Sequence, residues 1–416
     1  MTDLETRATP VPSALRRAAP ALLGYAAVRA LGLLTLALWS AARDKSAYTL
    51  LTARWDSLWY TRVAELGYGY EVRLPNGDVH SNLAFFPLLP WLERGIAAVT
   101  PLSHADAGFA VSLLASLAAA WGVFAVADHV YGRRAGVCAV LVWAVLPVGI
   151  VQSMAYSESL FTALAAWSLY AVLTGRWVTA GVLASLAGLT RPVGLAVVAA
   201  VWVAGIVAFR RDRAAAGDPS SKRERSVART GGASAGEHAP DRRDPAPHGA
   251  HPLTRALALL IAPLGAAAYV LWVGHRTGKG PLGYLDVQAG WRNGFDGGYA
   301  FARFVGEKFM SFPSALAGVG LIVGVGLVVW LYVVGVRQRQ PLPLLVYAGL
   351  VTALALCASS YFGSKPRLLM PAFPLLFPLA LALARLRTSR SALVVGGIAV
   401  ASAVYGAFWL NGSGPP

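Results

Sequence analysis

Residues 313–335 contain no charged side chain. As a helix rising 1.5 Å per residue, such a run is about 35 Å long, enough for the roughly 30 Å hydrocarbon core of a bilayer. It is one of eleven predominantly apolar runs. The others lie near 19–42, 107–127, 135–151, 158–174, 178–190, 192–209, 254–274, 342–360, 367–385 and 391–410, with most of the charges gathered between them or at their ends. A chain patterned in this way cannot fold as a water-soluble domain. Only 13% of its 416 residues are charged, about half the share usual in soluble proteins. The expectation is an all-α, polytopic membrane protein forming a single membrane domain over 1–416, with about eleven transmembrane helices and a long first outer loop.

The net charge of +16 points to cytoplasmic loops beside anionic lipid, not to nucleic acid. With the N-terminus inside, alternation places Arg133–Arg134, Arg176, the stretch 210–255, Arg337/Arg339 and Arg385/Arg387/Arg390 on the cytoplasmic side. This predicts a cytoplasmic-membrane protein whose other face is extracytoplasmic. One continuous helix over 178–209 would reverse that pattern, so Thr190-Arg191-Pro192 is read as the outer tip of a hairpin of two short helices. Proline disfavours helix at the residue before it. Residues 43–106 form an outer loop without strand alternation, its segment 82–94 lying in the interface. Residues 210–253, rich in Arg, Pro, Ala, Gly and Ser, are expected to be a disordered cytoplasmic loop. Cys138 and Cys357 sit inside apolar runs and read as buried thiols.

The densest chemistry is Arg54-Trp55-Asp56-Ser57-Leu58-Trp59-Tyr60, close to the outer end of the first run. Asp56 flanked by tryptophans fits a partly desolvated general base; if the segment is helical, Tyr60 shares its face. The competing reading is an interfacial aromatic belt with Asp56 as a helix cap. Arg54, Trp55 and Tyr60 are the substrate-binding candidates here, with Asn82 and Phe86 from the following segment. In Tyr156-Ser157-Glu158-Ser159, a serine and Glu158 either cap a helix or hydrogen-bond a sugar and orient Arg191. Arg191 at its hairpin tip needs an anion or must reach water, and Lys365-Pro366-Arg367 raises the same question. With Arg292, these cations either bind an outer-face phosphate, which a guanidinium fork matches in two-point geometry, or are ordinary flanking charge. No zinc-type His/Cys spacing, P-loop or G-x-S-x-G elbow occurs in the sequence, so no metal site is expected.

Four blocks in order, RWDSLWYTRVAELGY (54–68), NLAFFPLLP (82–90), AYSESLF (155–161) and LTRPVG (189–194), resemble the PIG-V family, the second mannosyltransferase of GPI-anchor synthesis and its bacterial relatives. SKPRLLMPAFPL (364–375) is more loosely similar to the basic-proline end of related membrane glycosyltransferases. The resemblance implies a GT-C membrane glycosyltransferase taking mannose from a polyprenyl-phosphate mannose on the outer leaflet, with no cofactor, divalent metal or nucleotide sugar. It also implies an acidic residue in the first outer loop, matched by Asp56. An extracytoplasmic glycolipid or glycan is the expected acceptor. On this reading Asp56 activates the acceptor hydroxyl, and the anomeric centre inverts. Arg191, Lys365, Arg367 and Arg292 would hold the lipid phosphate, while Glu158 and Asn82 position the sugar or the loop. A lipid or solute transporter without bond chemistry is the alternative; no internal repeat of the kind common in transporters stands out.

Overall fold

The computed structural model describes residues 14–217, 252–359 and 361–412. Helix α1 (Ala14–Ala41) leads into a folded cap made of α2 (Ala47–Thr52), α3 (Asp56–Leu66), β1 (Glu71–Arg73), β2 (Val79–Ser81) and α4 (Leu88–Val99). Next come α5 (His104–Tyr131), α6 (Arg133–Ala144), α7 (Ser157–Leu173), α8 (Trp177–Gly188) and α9 (Leu195–Gly217). After 218–251 follow α10 (Pro252–Ile261), α11 (Leu264–Thr277), α12 (Gly283–Gly290) and α13 (Tyr299–Glu307). The chain ends with α14 (Ser314–Arg337), α15 (Leu342–Cys357), α16 (Lys365–Leu369), α17 (Phe377–Arg385) and α18 (Thr388–Leu410).

Among the described residues, 6 helical stretches are long and apolar enough to cross a membrane, or up to 7 if the pair Phe362–Leu369 and Phe373–Arg385, bent by 77°, is one span. The chain is an integral membrane protein. The expectation of about eleven spans is not reproduced as eleven full helices, and the reason is physical. Helices α6 and α8 have 12 residues each, α15 has 16 and α7 has 17; at 1.5 Å per residue these reach about 18–26 Å, short of the hydrocarbon core. Their apolar runs continue into turns and 3₁₀ segments at 145–156 and 189–194 and into extended chain at 358–359, so run length in the sequence overstates helix length.

The loop over 43–106 is a helical cap with one antiparallel hairpin, Glu71 opposite Ser81. That corrects both the absence of strands and a strictly all-α fold. The signal was present in Asn76-Gly77, a turn pair that favours positive φ; Gly77 has φ +87°. Of the expected disordered loop 210–253, residues 218–251 lie outside the described residues, and both flanks are helical. Cys357 is half-buried and only Cys138 is buried.

Close helix crossings depend on small side chains, as membrane packing requires. A Cβ on Gly265 of α11 would lie 1.9 Å from the Ser185 carbonyl oxygen of α8. Polar contacts define two ends of the bundle. At one, Arg17 pairs with Asp128 at 2.8 Å, Arg133 donates to the Arg17 carbonyl at 3.2 Å, and Arg134 donates to the Leu386 carbonyl. At the other, Lys45 donates to the Asn411 carbonyl at 2.7 Å and Arg54 to the Leu410 carbonyl at 3.3 Å. These two cations of the first loop satisfy orphan carbonyls at the end of the last helix, where positive charge also suits the helix dipole.

Candidate active site

The turn into α3 is tightly wound. Trp55 has φ +52°, a sparsely populated region for a side-chain-bearing residue that surrounding contacts must hold. Ser57 Oγ accepts from the Arg54 amide at 3.1 Å and donates to the Arg54 carbonyl at 2.6 Å. The Arg54 guanidinium lies over the Trp55 ring, 4.0 Å from its centroid. The result places Asp56 in the first turn of α3. Glu158 occupies the first turn of α7. Both carboxylates therefore sit where a helix dipole favours negative charge.

Two arginines join them. Arg367 Nη1 lies 2.9 Å from Asp56 Oδ2, and its Nε lies 3.2 Å from Glu158 Oε1. Arg191, just before the 3₁₀ turn Pro192–Gly194, pairs with the same Glu158 oxygen. The four groups form the row Asp56, Arg367, Glu158, Arg191, formally neutral. Exposure divides the acids: the Asp56 side chain is 28% accessible and that of Glu158 is 1%. Neither Glu158 oxygen, nor Nε or Nη1 of Arg367, is aligned as a hydrogen bond within the protein. The row holds its charges by proximity while leaving directional capacity unused. Tyr156 puts its ring 5.0 Å from the Arg367 guanidinium carbon. Tyr60, one turn after Asp56, shares a 2.7 Å hydroxyl contact with Ser157.

The other nominated residues lie elsewhere. Lys365 Nζ donates to the carbonyls of Ala355 at 2.8 Å, Leu356 at 3.3 Å and Ala358 at 2.8 Å. It closes the end of α15, its ammonium already committed. Arg292 is largely exposed, has φ +55° and pairs with Asp78 at 2.5 Å. Asn82 is buried and pins the turn after α3, accepting from the Gly69 amide and donating to the Gly67 carbonyl, both at 3.0 Å. Phe86 is buried against Tyr269 and Tyr284, with ring centroids 4.5 and 5.4 Å away. Arg54 and Trp55 shape the turn as described. The serines of Tyr156-Ser157-Glu158-Ser159 do not cap α7, whose N-cap is Tyr156 with no side-chain cap bond; Ser159 donates to the Gln152 carbonyl at 3.1 Å.

Sequence reasoning missed several groups. Tyr156 stood inside a quoted block without being nominated. His80 stacks on Trp291 at 4.0 Å, and Trp291 meets Trp59 at 4.9 Å, an aromatic bridge between the 43–106 loop and the end of α12 that linear reading could not pair. Glu93 is buried in α4 with no hydrogen-bond partner; burial, with Glu65 nearby, pushes its carboxyl well above the ordinary range. Among the described residues, no group of three or more His, Cys, Asp or Glu side chains could hold a metal ion.

Residues 33–211 match the mannosyltransferase (PIG-V) family. This segment contains Asp56, Glu158 and Arg191; Arg367 lies beyond it. No curated protein matches the chain. Among solved structures, ArnT from Cupriavidus metallidurans bound to undecaprenyl phosphate is similar at 14% identity, over 92% of this chain and 63% of that one, with TM-score 0.49. The Archaeoglobus fulgidus oligosaccharyltransferase in complex with Zn and sulfate is similar at 15% identity, over 94% and 53%, with TM-score 0.45. AglB from Archaeoglobus fulgidus, with an inhibitory peptide and a dolichol-phosphate, stands at 12% identity, over 94% and 56%, with TM-score 0.45. The chain spans less than two thirds of the length of each of these three structures. They are loose likenesses of outline, without residue correspondence.

Proposed function

We propose that the chain is a membrane mannosyltransferase that moves mannose from a polyprenyl-phosphate donor to a hydroxyl of an extracytoplasmic glycolipid or glycan. The observation that carries this reading is the row of two acids and two arginines in which Asp56 is the most solvent-accessible member and Glu158 the most buried, three of its four members falling within the family match. The acceptor oxygen attacks the anomeric carbon, the bond from that carbon to the phosphate oxygen breaks, and the acceptor proton passes to Asp56. Single displacement inverts the anomeric centre. Negative charge grows on the departing lipid phosphate, and the forks of Arg367 and Arg191 supply cationic donors for it. Glu158 stands behind them and sets their spacing. Lys365 and Arg292, engaged elsewhere, have no part in this scheme.

The site end is assigned to the outer face because the opposite end gathers Arg17, Arg133 and Arg134, together with the run Arg385, Arg387 and Arg390 around the start of α18. Basic clusters beside span ends favour the cytoplasm. The test uses the purified protein in liposomes with labelled polyprenyl-phosphate mannose and an extract of envelope glycolipids. Asp56→Asn should lower transfer about 10²- to 10⁴-fold, the usual share of a general base. Undiminished transfer by that variant would remove Asp56 from the mechanism, and absence of labelled product with the parent protein would favour a transporter.

A further inference from the structure

We propose that Arg29, buried within the first span, is a positioning residue for the transfer site, a latch on the broken segment that delivers Tyr156, Ser157 and Glu158. The inference rests on the mannosyl-transfer reading for its consequence and on geometry for its substance. Helix α6 stops at Ala144 after 12 residues, about 18 Å of helix, so its terminal carbonyls end inside the bundle. No water is at hand in a bilayer core, so each such group needs an internal donor. Arg29, 7% exposed, provides two of them: Nη1 donates to the Gly149 carbonyl and Nη2 to the Ala144 carbonyl. Gln152 Nε2 donates to the Trp143 carbonyl at 2.9 Å, and Ser402 donates to the Leu146 carbonyl at 2.7 Å.

Among the described residues no carboxylate pairs with Arg29. Its charge faces carbonyl dipoles at a helix C-terminus, where a cation is favoured. Lysine carries its donors on a single nitrogen and lacks the two separately placed nitrogens with which this guanidinium reaches the Ala144 and Gly149 carbonyls. Gly149 is the fitted counterpart, because a Cβ there would lie 2.9 Å from Arg29 Nη2 and 2.8 Å from the Ala144 oxygen. From Gly149 the chain runs through a 3₁₀ turn ending at Ser153 directly to Tyr156 and Glu158. Release of the turn therefore shifts the carboxylate that spaces Arg191 and Arg367. Misplacement of a site by an ångström costs on the order of 100-fold in rate.

The experiment combines local hydrogen exchange with kinetics on the full chain in nanodiscs. Arg29→Gln and Gly149→Ala should raise exchange across 145–158, whereas Leu331→Ala in α14 should not. Arg29→Lys should fall between parent and Arg29→Gln. Transfer should drop about tenfold or more in Arg29→Gln, and should drop little further when that change is added to Glu158→Gln, the non-additivity of residues acting through one another. Unchanged exchange at 145–158 would overturn the latch. Losses that multiply independently with Glu158→Gln would overturn its action through the site. A parent protein without transfer activity would sink the mannosyl-transfer reading, and the exchange comparison would then decide the latch alone.

Discussion

Removing the charge of Glu158 tests the electrostatic logic of the site most directly. Its side chain is 1% exposed and touches Arg191 and Arg367, whose side chains are 14% and 9% exposed. In Glu158→Gln, Arg367 keeps Asp56 at 2.9 Å, but Arg191 loses the carboxylate it pairs with. Removing one partner of a buried ion pair strands the other charge, at a cost of about 3–5 kcal/mol. The loss should show as a lower thermal unfolding midpoint of the detergent-purified protein. Adding Arg191→Met removes the stranded charge, so the double variant should be more stable than Glu158→Gln alone. The coupling between the two positions should be about 1–3 kcal/mol. Transfer should be reduced in both. If Glu158→Gln unfolds with the parent, or if the two losses simply add, the pair is not the buried unit described above.

Three further outcomes separate structural from chemical roles. Lys365→Met should cost about 1–3 kcal/mol through carbonyls left without a donor, with the donor KM unchanged in the transfer assay. Phe86→Ala should cost about 3–5 kcal/mol by opening a core cavity, again without a change in KM, as thermal unfolding and transfer measured together will show. Burial and Arg292 depress the His80 pKa against the opposing pull of Asp78, burial being the larger cause. The neutral imidazole is therefore the folded form. Its contribution is complete above about pH 6.5, the unperturbed value, and is lost as pH falls through the depressed one. Unfolding midpoints of His80→Gln should thus lose less between pH 7 and pH 5 than those of the parent.

Periodicity and charge were enough to read a membrane bundle, because bilayer thickness acts on run length directly. They overcounted full helices wherever an apolar run bends, since Leu146 or Val148 is equally apolar in an irregular turn and in a helix. Asp56, Glu158 and Arg191 could be nominated because a charge at the end of an apolar run asks for a partner. Which charge meets which could not be read. Arg367 completes the row and Lys365, two residues earlier, does not, because α16 turns them toward different neighbours. Arg29 was visible as a charge inside a span, but its partners are backbone carbonyls, which leave no mark in a sequence.

The anchoring of the first loop by Lys45 and Arg54 on carbonyls 366 and 356 residues away has a bearing on biogenesis. The segment carrying Asp56 leaves the ribosome well before the groups that fasten it. Until α18 has inserted, that segment lacks both of these anchors. A chain cut short before residue 388 would retain every residue of the family-matched portion and still lack the clasp that closes it. On the proposed reading, sugar transfer would therefore have to await the insertion of α18.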